Sequence, residues 1–477
     1  MSARVQRALA LGLIASLFAM TGCDTALGGR DCGTRACEVA DAGTGERDAP
    51  RTDAMAIDAS GSDAGPVDGG ADPDAGMPDA GPPPPTGRVL YPTSRLHSPI
   101  TSDVAEGLAA IAATAARDDH VVSRVGDSIT VSTSFLNCFA GSNVMLDGRS
   151  ELAPTIDHFN AGRVAGANPF TRVSQAATVG WSASAALAGS PAPVDQEIAA
   201  AHPGYASLMF GSNDVGFRAP DAFASNMLDL TDRLIAAGAI PVLSSIPPRD
   251  DSAAADARVP LFSAIARGIA QGRGVPFVDL HQALLPLANH GLGGDNLHPN
   301  VYSGGGCVFN ATGLGYGYDQ RNLLVITALD RARRVVGGEA APDDVVPRMT
   351  GMGTVASPFE VTGDVFTDLR NTSTIGTSSW PSYPACSTAN EGGPEVVYRL
   401  VLDRLATIHA WVFGRGTTDV DVHLLDARGT PDGCLMRNDV EVALAAAPGT
   451  YYLSVDSFVD GAGTARVGEY LLVVLLE

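Results

Sequence analysis

Three short polar motifs contain the residue types needed to attack a carbonyl group. Ser128 ends the sequence Gly-Asp-Ser, Asn213 lies in Gly-Ser-Asn-Asp, and Asp295 and His298 lie in Asp-Asn-Leu-His-Pro. A serine hydroxyl is a poor nucleophile at neutral pH, so it needs a histidine base within hydrogen-bonding reach. A carboxylate three residues before that histidine can orient the imidazole, and an amide side chain can donate to the oxygen on which negative charge grows. The motifs therefore predict acyl transfer through a Ser-His-Asp triad.

Each motif follows a segment whose composition is typical of a buried strand. The predicted strands are residues 121–125, 205–210, 240–244 and 275–279. Apolar residues at helical spacing predict helices at residues 221–237, 260–273 and 319–336. Alternating strands and helices predict an α/β domain over residues 88–338, with helices on both faces of a parallel sheet. The carboxyl ends of parallel strands share one edge of the sheet, so the three motifs are expected to converge there.

Taken together and in this chain order, the motifs resemble the SGNH (GDSL-type) hydrolase family over roughly residues 120–335. The resemblance implies a three-layer, flavodoxin-like α/β fold and a carboxylic ester hydrolase that uses no cofactor and no metal. Carried over by position, it assigns Ser128 as the nucleophile and Asp295 with His298 as the acid and base. These roles agree with the chemistry expected from the residue types alone.

The same resemblance implies an oxyanion hole with three donors. Two of them are the backbone N–H of Ser128 and the side-chain amide of Asn213. The third is the backbone N–H of a glycine from a separate block, and Gly180, in Ala-Ala-Thr-Val-Gly-Trp-Ser, is the best match. The asparagine-rich lead-in that is usual before this glycine is absent here.

After a linker at residues 339–352, an apolar period of two predicts an independent β-sandwich over residues 353–477. Its predicted strands are residues 395–402, 407–413, 420–425, 440–444, 450–455 and 469–475. The sequences Gly-Thr-Tyr-Tyr and Gly-Glu-Tyr before the last two strands resemble the pre-peptidase C-terminal β-sandwiches of secreted bacterial hydrolases. Asp419, Asp421 and Asp456 are expected to be solvated turn residues rather than calcium ligands.

The N-terminal segment has the features of an export signal. Two arginines precede an apolar run at residues 8–20, which is too short to span a bilayer, and residues 1–22 are predicted to be a signal peptide. The sequence Met-Thr-Gly-Cys that ends at Cys23 resembles a bacterial lipobox, which implies a lipid on that cysteine. A soluble form cleaved nearby is the alternative. Residues 23–87 are rich in Asp, Ala, Gly and Pro, and they predict a disordered tether.

The remaining cysteines support export to an oxidising compartment. The chain has seven cysteines, and setting Cys23 aside leaves an even number for pairing. Their grouping by segment favours three disulfides: Cys32 with Cys37, Cys138 with Cys307, and Cys386 with Cys434. Buried free thiols are the alternative. A disulfide between the second pair would brace the loop after the serine against the loop after the histidine.

Charge and composition narrow the class of partner. The formal net charge of −22 excludes the basic surface that nucleic acid binding requires. We therefore expect an extracytoplasmic esterase, lipid-anchored to a bacterial membrane, that acts on short-chain or O-acetyl esters, with acylated polysaccharide as a candidate substrate. Two alternatives remain: a lipase or lysophospholipase of the same fold, and a non-catalytic surface protein that binds a glycan or a partner. An apolar rim for lipid would be built by Phe135, Phe139, Phe170 and Trp181, unless these side chains pack in the core.

Overall fold

The structure is a computed structural model that describes residues 87–343 and 345–477. The predicted signal peptide, Cys23, the tether and the predicted Cys32–Cys37 pair lie outside the described residues. Among the residues that are described, no helix is both long enough and apolar enough to cross a membrane.

The first part of the described chain is built on a parallel four-stranded sheet. Its strands are β1 (Asp118–Gly126), β2 (Pro203–Met209), β3 (Ile240–Ser244) and β4 (Phe277–Val278), in the spatial order β1-β2-β3-β4. On the other side of β1, a parallel bridge joins Gly126 to Ala177. Segments that follow β1 in the chain therefore pair with it on both of its sides. The carboxyl end of β1 is thus the topological switch point of the sheet. The predicted flavodoxin-like α/β fold is confirmed.

Helices cover this sheet and connect its strands. They are α1 (Ser102–Ala112), α2 (Ser128–Val131), α3 (Ala153–Ala161), α4 (Pro193–Ala201), α5 (Asp214–Phe217), α6 (Pro220–Ala236), α7 (Ala253–Asp256), α8 (Val259–Arg273), α9 (Leu280–Leu284) and α10 (Gly317–Val336). The three helices predicted from apolar spacing correspond to α6, α8 and α10. Proline stands in the first turn of α6 and α8, where it costs no helical hydrogen bond.

The second part is a β-sandwich, as predicted. Its strands are β5 (Phe359–Val361), β6 (Val365–Asn371), β7 (Glu395–Leu402), β8 (Ala406–Gly414), β9 (Val420–Leu425), β10 (Cys434–Asn438), β11 (Glu441–Ala446), β12 (Gly449–Ser457) and β13 (Glu469–Leu476), with a short helix α11 (Thr372–Ile375). One sheet has the order β10-β9-β12-β7-β5 and the other β11-β8-β13-β6. Strand pairing is antiparallel except between β5 and β7.

The two parts share an apolar core, so the β-sandwich is not the independent domain that the sequence predicts. Helix α8 lies against β6 and β13, and a Cβ added at Gly272 would come within 2.4 Å of the Cβ of Leu369. Leu369 and Leu471 belong to the same buried cluster as the core of the parallel sheet. Separating the two parts would expose this apolar contact to water, which costs free energy. Experiments on the protein therefore use the full chain.

Candidate active site

The predicted nucleophile lies on a tight turn at the switch point. Strand β1 ends at Gly126, and Asp127 caps α2 by accepting a hydrogen bond from Ile129 N–H at 3.0 Å. A Cβ at residue 126 would lie 2.3 Å from Thr130 Oγ1, so only glycine permits this close packing of turn against strand. The turn leaves Ser128 partly exposed at the carboxyl edge of the sheet.

The loop that follows α9 brings an imidazole and a carboxylate to this serine. Ser128 Oγ lies 2.8 Å from His298 Nε2, and His298 Nδ1 lies 2.6 Å from Asp295 Oδ2. The other carboxylate oxygen of Asp295 accepts from the backbone N–H groups of Leu297 and His298, at 3.1 and 3.0 Å. These backbone bonds fix the carboxylate on its own loop, so both the carboxylate and the ring are held in line with the hydroxyl.

The electrostatics of this loop favour an ionised carboxylate. Partial burial acts to raise the pKa of Asp295, but the hydrogen bonds from the His298 ring and from the two backbone N–H groups outweigh it, and the pKa is lowered overall. An ionised carboxylate beside Nδ1 favours the tautomer with the proton on Nδ1. In that tautomer Nε2 is free to accept a proton from the serine hydroxyl.

Asn213 and Gly180 also lie together at this edge. Asn213 follows β2, and its side-chain Nδ2 donates to the carbonyl oxygen of Trp181 at 2.9 Å. The residue before that tryptophan, Gly180, has φ of +77°, which favours glycine. The Asn213 amide uses one of its two N–H donors in this bond, so the second remains for a ligand.

Two backbone donors at this edge are also unpaired. Neither the N–H of Ser128 nor the N–H of Gly180 donates a hydrogen bond to any residue in the described ranges 87–343 and 345–477. Gly180 is exposed, and Ser128 is partly exposed. Both donors are therefore able to bind an oxygen from outside the chain.

Asp214 connects the Asn213 motif to the glycine loop. It is fully buried, and its carboxylate oxygens accept from Ala183 N–H at 3.1 and 3.3 Å. Burial raises its pKa to about 6. From the sequence, this residue is expected only to stabilise its own turn, because no local pattern shows that it contacts a loop some thirty residues earlier.

The nucleophile turn rests on a buried arginine that sequence reasoning misses. Arg321 is 1% exposed; its guanidinium donates to the carbonyl of Ile129 at 2.7 Å and to Thr130 Oγ1 at 2.9 Å. It lies over the ring of Phe135, with 3.6 Å between the guanidinium carbon and the ring centroid. Burial lowers the pKa of Arg321 to about 10, so it stays charged at neutral pH. Its position on the apolar side of a predicted helix is the sequence signal that could have identified it.

Two of the predicted disulfides are present. Cys138 pairs with Cys307 and Cys386 with Cys434, with Cα–Cα distances of 5.7 and 5.8 Å. The first joins the segment after the serine turn to the segment after the histidine loop, as expected. Met145 N–H also donates to the carbonyl of Cys307 at 2.8 Å, so the two segments are held by both covalent and hydrogen bonds.

The aromatic residues proposed as a lipid-binding rim pack mainly in the core. Phe135, Phe139 and Phe170 are at most 1% exposed, and Trp181 is partly exposed. Other apolar side chains are exposed within four residues, along the chain, of Ser128, Gly180, Asn213 or His298. They are Val131, Val179, Phe217 and Val301.

A small pocket lies beside the nucleophile turn. Its volume is about 40 Å³, and Thr130, Val131 and Ala177 contribute to its lining. This volume has room for about three water-sized groups.

Comparison with known proteins gives a family match to the segment that holds the site. Residues 125–302 match the GDSL-like Lipase/Acylhydrolase family, and they contain the serine, asparagine and Asp-x-x-His motifs. A comparison with curated proteins gives no match.

Solved structures with similarity to this chain include three esterase or lipase structures. A GDSL-like lipase from Bacteroides thetaiotaomicron has 15% identity and a TM-score of 0.30, over 48% of this chain and 98% of its own. A carbohydrate esterase of family 3 from Talaromyces cellulolyticus has 20% identity and a TM-score of 0.30, over 44% and 97%. An acetylxylan esterase from Geobacillus stearothermophilus has 14% identity and a TM-score of 0.30, over 45% and 95%.

The segment that matches the family lies within the part of the chain that is built on the parallel sheet. Residues 125–302 begin within β1 and end just after the histidine loop, so the match spans each predicted motif in its expected order. The resemblance of the α/β part of this chain to the SGNH (GDSL-type) hydrolases is therefore confirmed.

Proposed function

We propose that this protein is a serine ester hydrolase that acts through an acyl-enzyme. The observation that carries the proposal is the continuous hydrogen-bonded chain from Ser128 Oγ to His298 Nε2, at 2.8 Å, and from His298 Nδ1 to Asp295 Oδ2, at 2.6 Å. A hydroxyl, an imidazole and a carboxylate in this order form the arrangement that activates a serine. The family match supports the class of ester hydrolase.

In the first half of the proposed reaction, His298 Nε2 removes the proton of Ser128 Oγ as this oxygen forms a bond to the ester carbonyl carbon. The tetrahedral intermediate collapses, the bond to the alcohol oxygen breaks, and His298 returns the proton to the departing alcohol. In the second half, His298 removes a proton from water as the water oxygen attacks the acyl carbon. The bond from this carbon to Ser128 Oγ then breaks, His298 returns the proton to Oγ, and the carboxylic acid leaves. Asp295 keeps the imidazole oriented and stabilises its charged form throughout.

The negative oxygen of each tetrahedral intermediate needs donors that are already in place. We assign this role to the unpaired N–H groups of Ser128 and Gly180 and to the second N–H of Asn213 Nδ2. The bond from Asn213 to the Trp181 carbonyl holds the amide next to the glycine loop. The side-chain amide of Asn213 and the backbone N–H of Gly180 would therefore keep a fixed position relative to each other during the reaction.

Asn213→Ala is expected to lower kcat by about 10²- to 10³-fold, because one oxyanion donor is lost. Initial rates of p-nitrophenyl acetate hydrolysis measure the effect. Asn438→Ala is the matched control, since Asn438 is exposed at the end of β10 in the β-sandwich, where its side-chain oxygen accepts from Val440 N–H at 2.9 Å. The oxyanion role is wrong if Asn213→Ala retains the wild-type kcat while it remains folded.

Short acyl groups, including O-acetyl groups on carbohydrate, are the favoured substrates. Burial of most of the predicted aromatic rim supports this choice, because Phe135, Phe139 and Phe170 are not available to bind lipid.

A lipase-like activity is the second candidate, and one observation favours it. Val179 and Phe217, which are 68% and 63% exposed, lie next to Gly180 and four residues after Asn213. Exposed apolar side chains near a site can bind the apolar part of an ester. Esters with acyl chains of two to twelve carbons decide between the candidates: we expect kcat/KM to be highest at two to four carbons, and a maximum beyond eight would establish the second candidate.

We also propose that the protein functions outside the cytoplasm, attached to a bacterial membrane by lipid on Cys23. The two disulfides in the described residues are consistent with an oxidising compartment. Incorporation of labelled palmitate that is lost in Cys23→Ala would support the lipid, and equal labelling of both forms would refute it. The binding-protein alternative is less well supported, because a binding site has no need of an imidazole aligned with a hydroxyl.

A further inference from the structure

Two histidines and an aspartate meet at the amino end of β1, whereas Ser128 follows the carboxyl end of the same strand. Asp119 and His120 are the second and third residues of β1, and His158 lies in α3. We call these three residues the His-Asp cluster. His120 Nδ1 lies 2.9 Å from Asp119 Oδ1, and His158 Nε2 lies 3.9 Å from Asp119 Oδ2. One candidate ligand atom from each residue lies within 4.8 Å of the other two.

Close packing of α3 against β1 brings the two histidines together. A Cβ at residue 162, just after α3, would lie 2.2 Å from the carbonyl oxygen of His120, so only glycine permits this approach. The imidazole rings of His120 and His158 stack, with 4.2 Å between their centroids and 20° between their planes. The register of β1 against β2 also shifts near this end of the strand. Such an irregularity interrupts the alternation of side chains, which allows Asp119 and His120 to reach the same histidine.

The His-Asp cluster lies at the surface in an acidic environment. The exposed fractions of the side chains are 56% for Asp119, 43% for His120 and 18% for His158. A further carboxylate is adjacent, because Asp118 Oδ1 lies 3.5 Å from His120 Nδ1. Within the described residues, the ion-pair partners of Asp118 and Asp119 are histidines and not arginines. A cation from solution can therefore reach the cluster and balance its carboxylates.

One hydrogen bond in the cluster would be replaced when a metal binds. His158 Nε2 donates to the carbonyl oxygen of Asp119 at 2.7 Å, since a carbonyl oxygen can only accept. Metal binding at Nε2 requires the tautomer of His158 with its proton on Nδ1. His120 would bind through Nδ1 and keep its proton on Nε2. Both rings are then neutral ligands, and neither has to lose a proton overall.

We propose that the His-Asp cluster binds a divalent transition-metal ion, for which Zn²⁺ is the best match. Two imidazole nitrogens and a carboxylate oxygen are usual zinc ligands, whereas Ca²⁺ and Mg²⁺ prefer oxygen alone. Neighbouring ligand atoms around a tetrahedral Zn²⁺ are about 3.4 Å apart, given metal–ligand distances of about 2.1 Å. The observed 2.9 and 3.9 Å lie on either side of this value, so small side-chain rotations suffice. Water or Asp118 would occupy the fourth position.

The bound ion would have a structural role. At about 3.3 Å per residue, His120 lies about 20 Å from the end of β1, so the ion would not contact an ester bound at Ser128. It would instead join the amino end of β1 to α3. The inference is therefore independent of the proposed esterase activity.

The test uses the untagged full chain after removal of metal with EDTA. Isothermal titration calorimetry at micromolar protein should show one Zn²⁺ bound per chain. Free Zn²⁺ at one hundred times its Kd should multiply the ratio of folded to unfolded protein by about 100, which for a chain of this length corresponds to a rise of about 3 °C in Tm. Mg²⁺ at the same concentration should produce neither effect.

Variants locate the site. His120→Gln and His158→Gln should each lose the binding heat and the rise in Tm, because glutamine keeps a polar side chain but lacks the imidazole nitrogen. His290→Gln is the matched control, since His290 also lies beside a carboxylate, 2.8 Å from Asp250 Oδ2, but belongs to no cluster of three candidate ligands in the described residues. It should bind Zn²⁺ like the wild type. The proposal is overturned if wild-type protein binds no Zn²⁺, or if either glutamine variant of the cluster binds it like the wild type.

Oxidation mapping of the wild-type protein decides the question if these variants do not fold. Cu²⁺ binds to nitrogen and oxygen ligands at least as tightly as Zn²⁺, and with ascorbate and oxygen it oxidises the histidines that hold it. Mass spectrometry should find oxidation at His120 and His158, and an excess of Zn²⁺ should suppress it. Oxidation confined to other histidines would overturn the proposal.

Discussion

Ser128→Ala is expected to lower kcat for p-nitrophenyl acetate by about 10⁴- to 10⁶-fold. The variant keeps the imidazole, the carboxylate and the oxyanion donors but lacks the atom that would carry the acyl group. The methyl side chain is smaller than the hydroxymethyl group that it replaces, so the fold should persist. Initial rates, together with covalent labelling by a fluorophosphonate, measure the effect. Labelling should disappear along with turnover.

Ser142→Ala is the control for this substitution. Ser142 is exposed and lies on the segment that follows Cys138, away from the hydrogen-bonded chain. It should label and turn over substrate like the wild type. If Ser128→Ala retained substantial turnover while folded, a different residue would be the nucleophile and the proposed mechanism would be wrong.

His298→Ala is expected to have the second large effect, a loss of at least about 10⁴-fold in kcat. Without the imidazole, no group within hydrogen-bonding reach of Ser128 Oγ removes its proton, and none returns a proton to the alcohol. The measurements are the same rates and the rate of fluorophosphonate labelling. Because serine and histidine act as one unit, the double variant should be no slower than either single variant.

His290→Ala is the matched control for the histidine. Its Nδ1 lies 2.8 Å from Asp250 Oδ2, so it also pairs with a carboxylate near the site but does not contact the serine. Its activity should stay close to that of the wild type. The double variant that combines Ser128→Ala with His298→Ala tests whether the two residues act together. If its loss in kcat equalled the product of the two single losses, the residues would act separately, contrary to the hydrogen bond between them.

Most of the α/β fold can be predicted from local sequence. β3 has the predicted bounds, and α6, α8 and α10 differ from prediction by at most two residues, because apolar spacing and prolines mark them clearly. The meeting of the serine and histidine motifs also follows from sequence, since parallel strands present their carboxyl ends at one edge.

Three strands of the sandwich cannot be predicted in this way. β5 has only three residues, and β6 and β10 contain charged residues that interrupt the apolar alternation. Asp368 on β6 is fully buried; it pairs with Arg370 at 2.7 Å and with Arg88 at 2.9 Å. Tertiary contacts therefore compensate for a residue that is unfavourable in a strand by its type alone.

The parts of the site that sequence misses depend on long-range contacts. Arg321 reaches the nucleophile turn from almost two hundred residues away, and Asp214 reaches the glycine loop. The expectation that Asp421 and Asp456 are solvated turn residues is wrong for the same reason: both are buried, and the Tyr383 hydroxyl, from the segment before β7, donates to Asp456. A single sequence shows residue types and periodicity, but it does not show which distant element will cover a face.

Trapping the acyl-enzyme tests the central claim most directly. The full chain is mixed with p-nitrophenyl acetate, quenched in acid during the first turnover, digested and analysed by mass spectrometry. The proposed mechanism predicts an acetyl group on the peptide that contains Ser128, which is absent from the Ser128→Ala protein. Acetyl found only on another residue, or turnover with no adduct on this peptide under conditions where hydrolysis of the acyl group is rate-limiting, would contradict it.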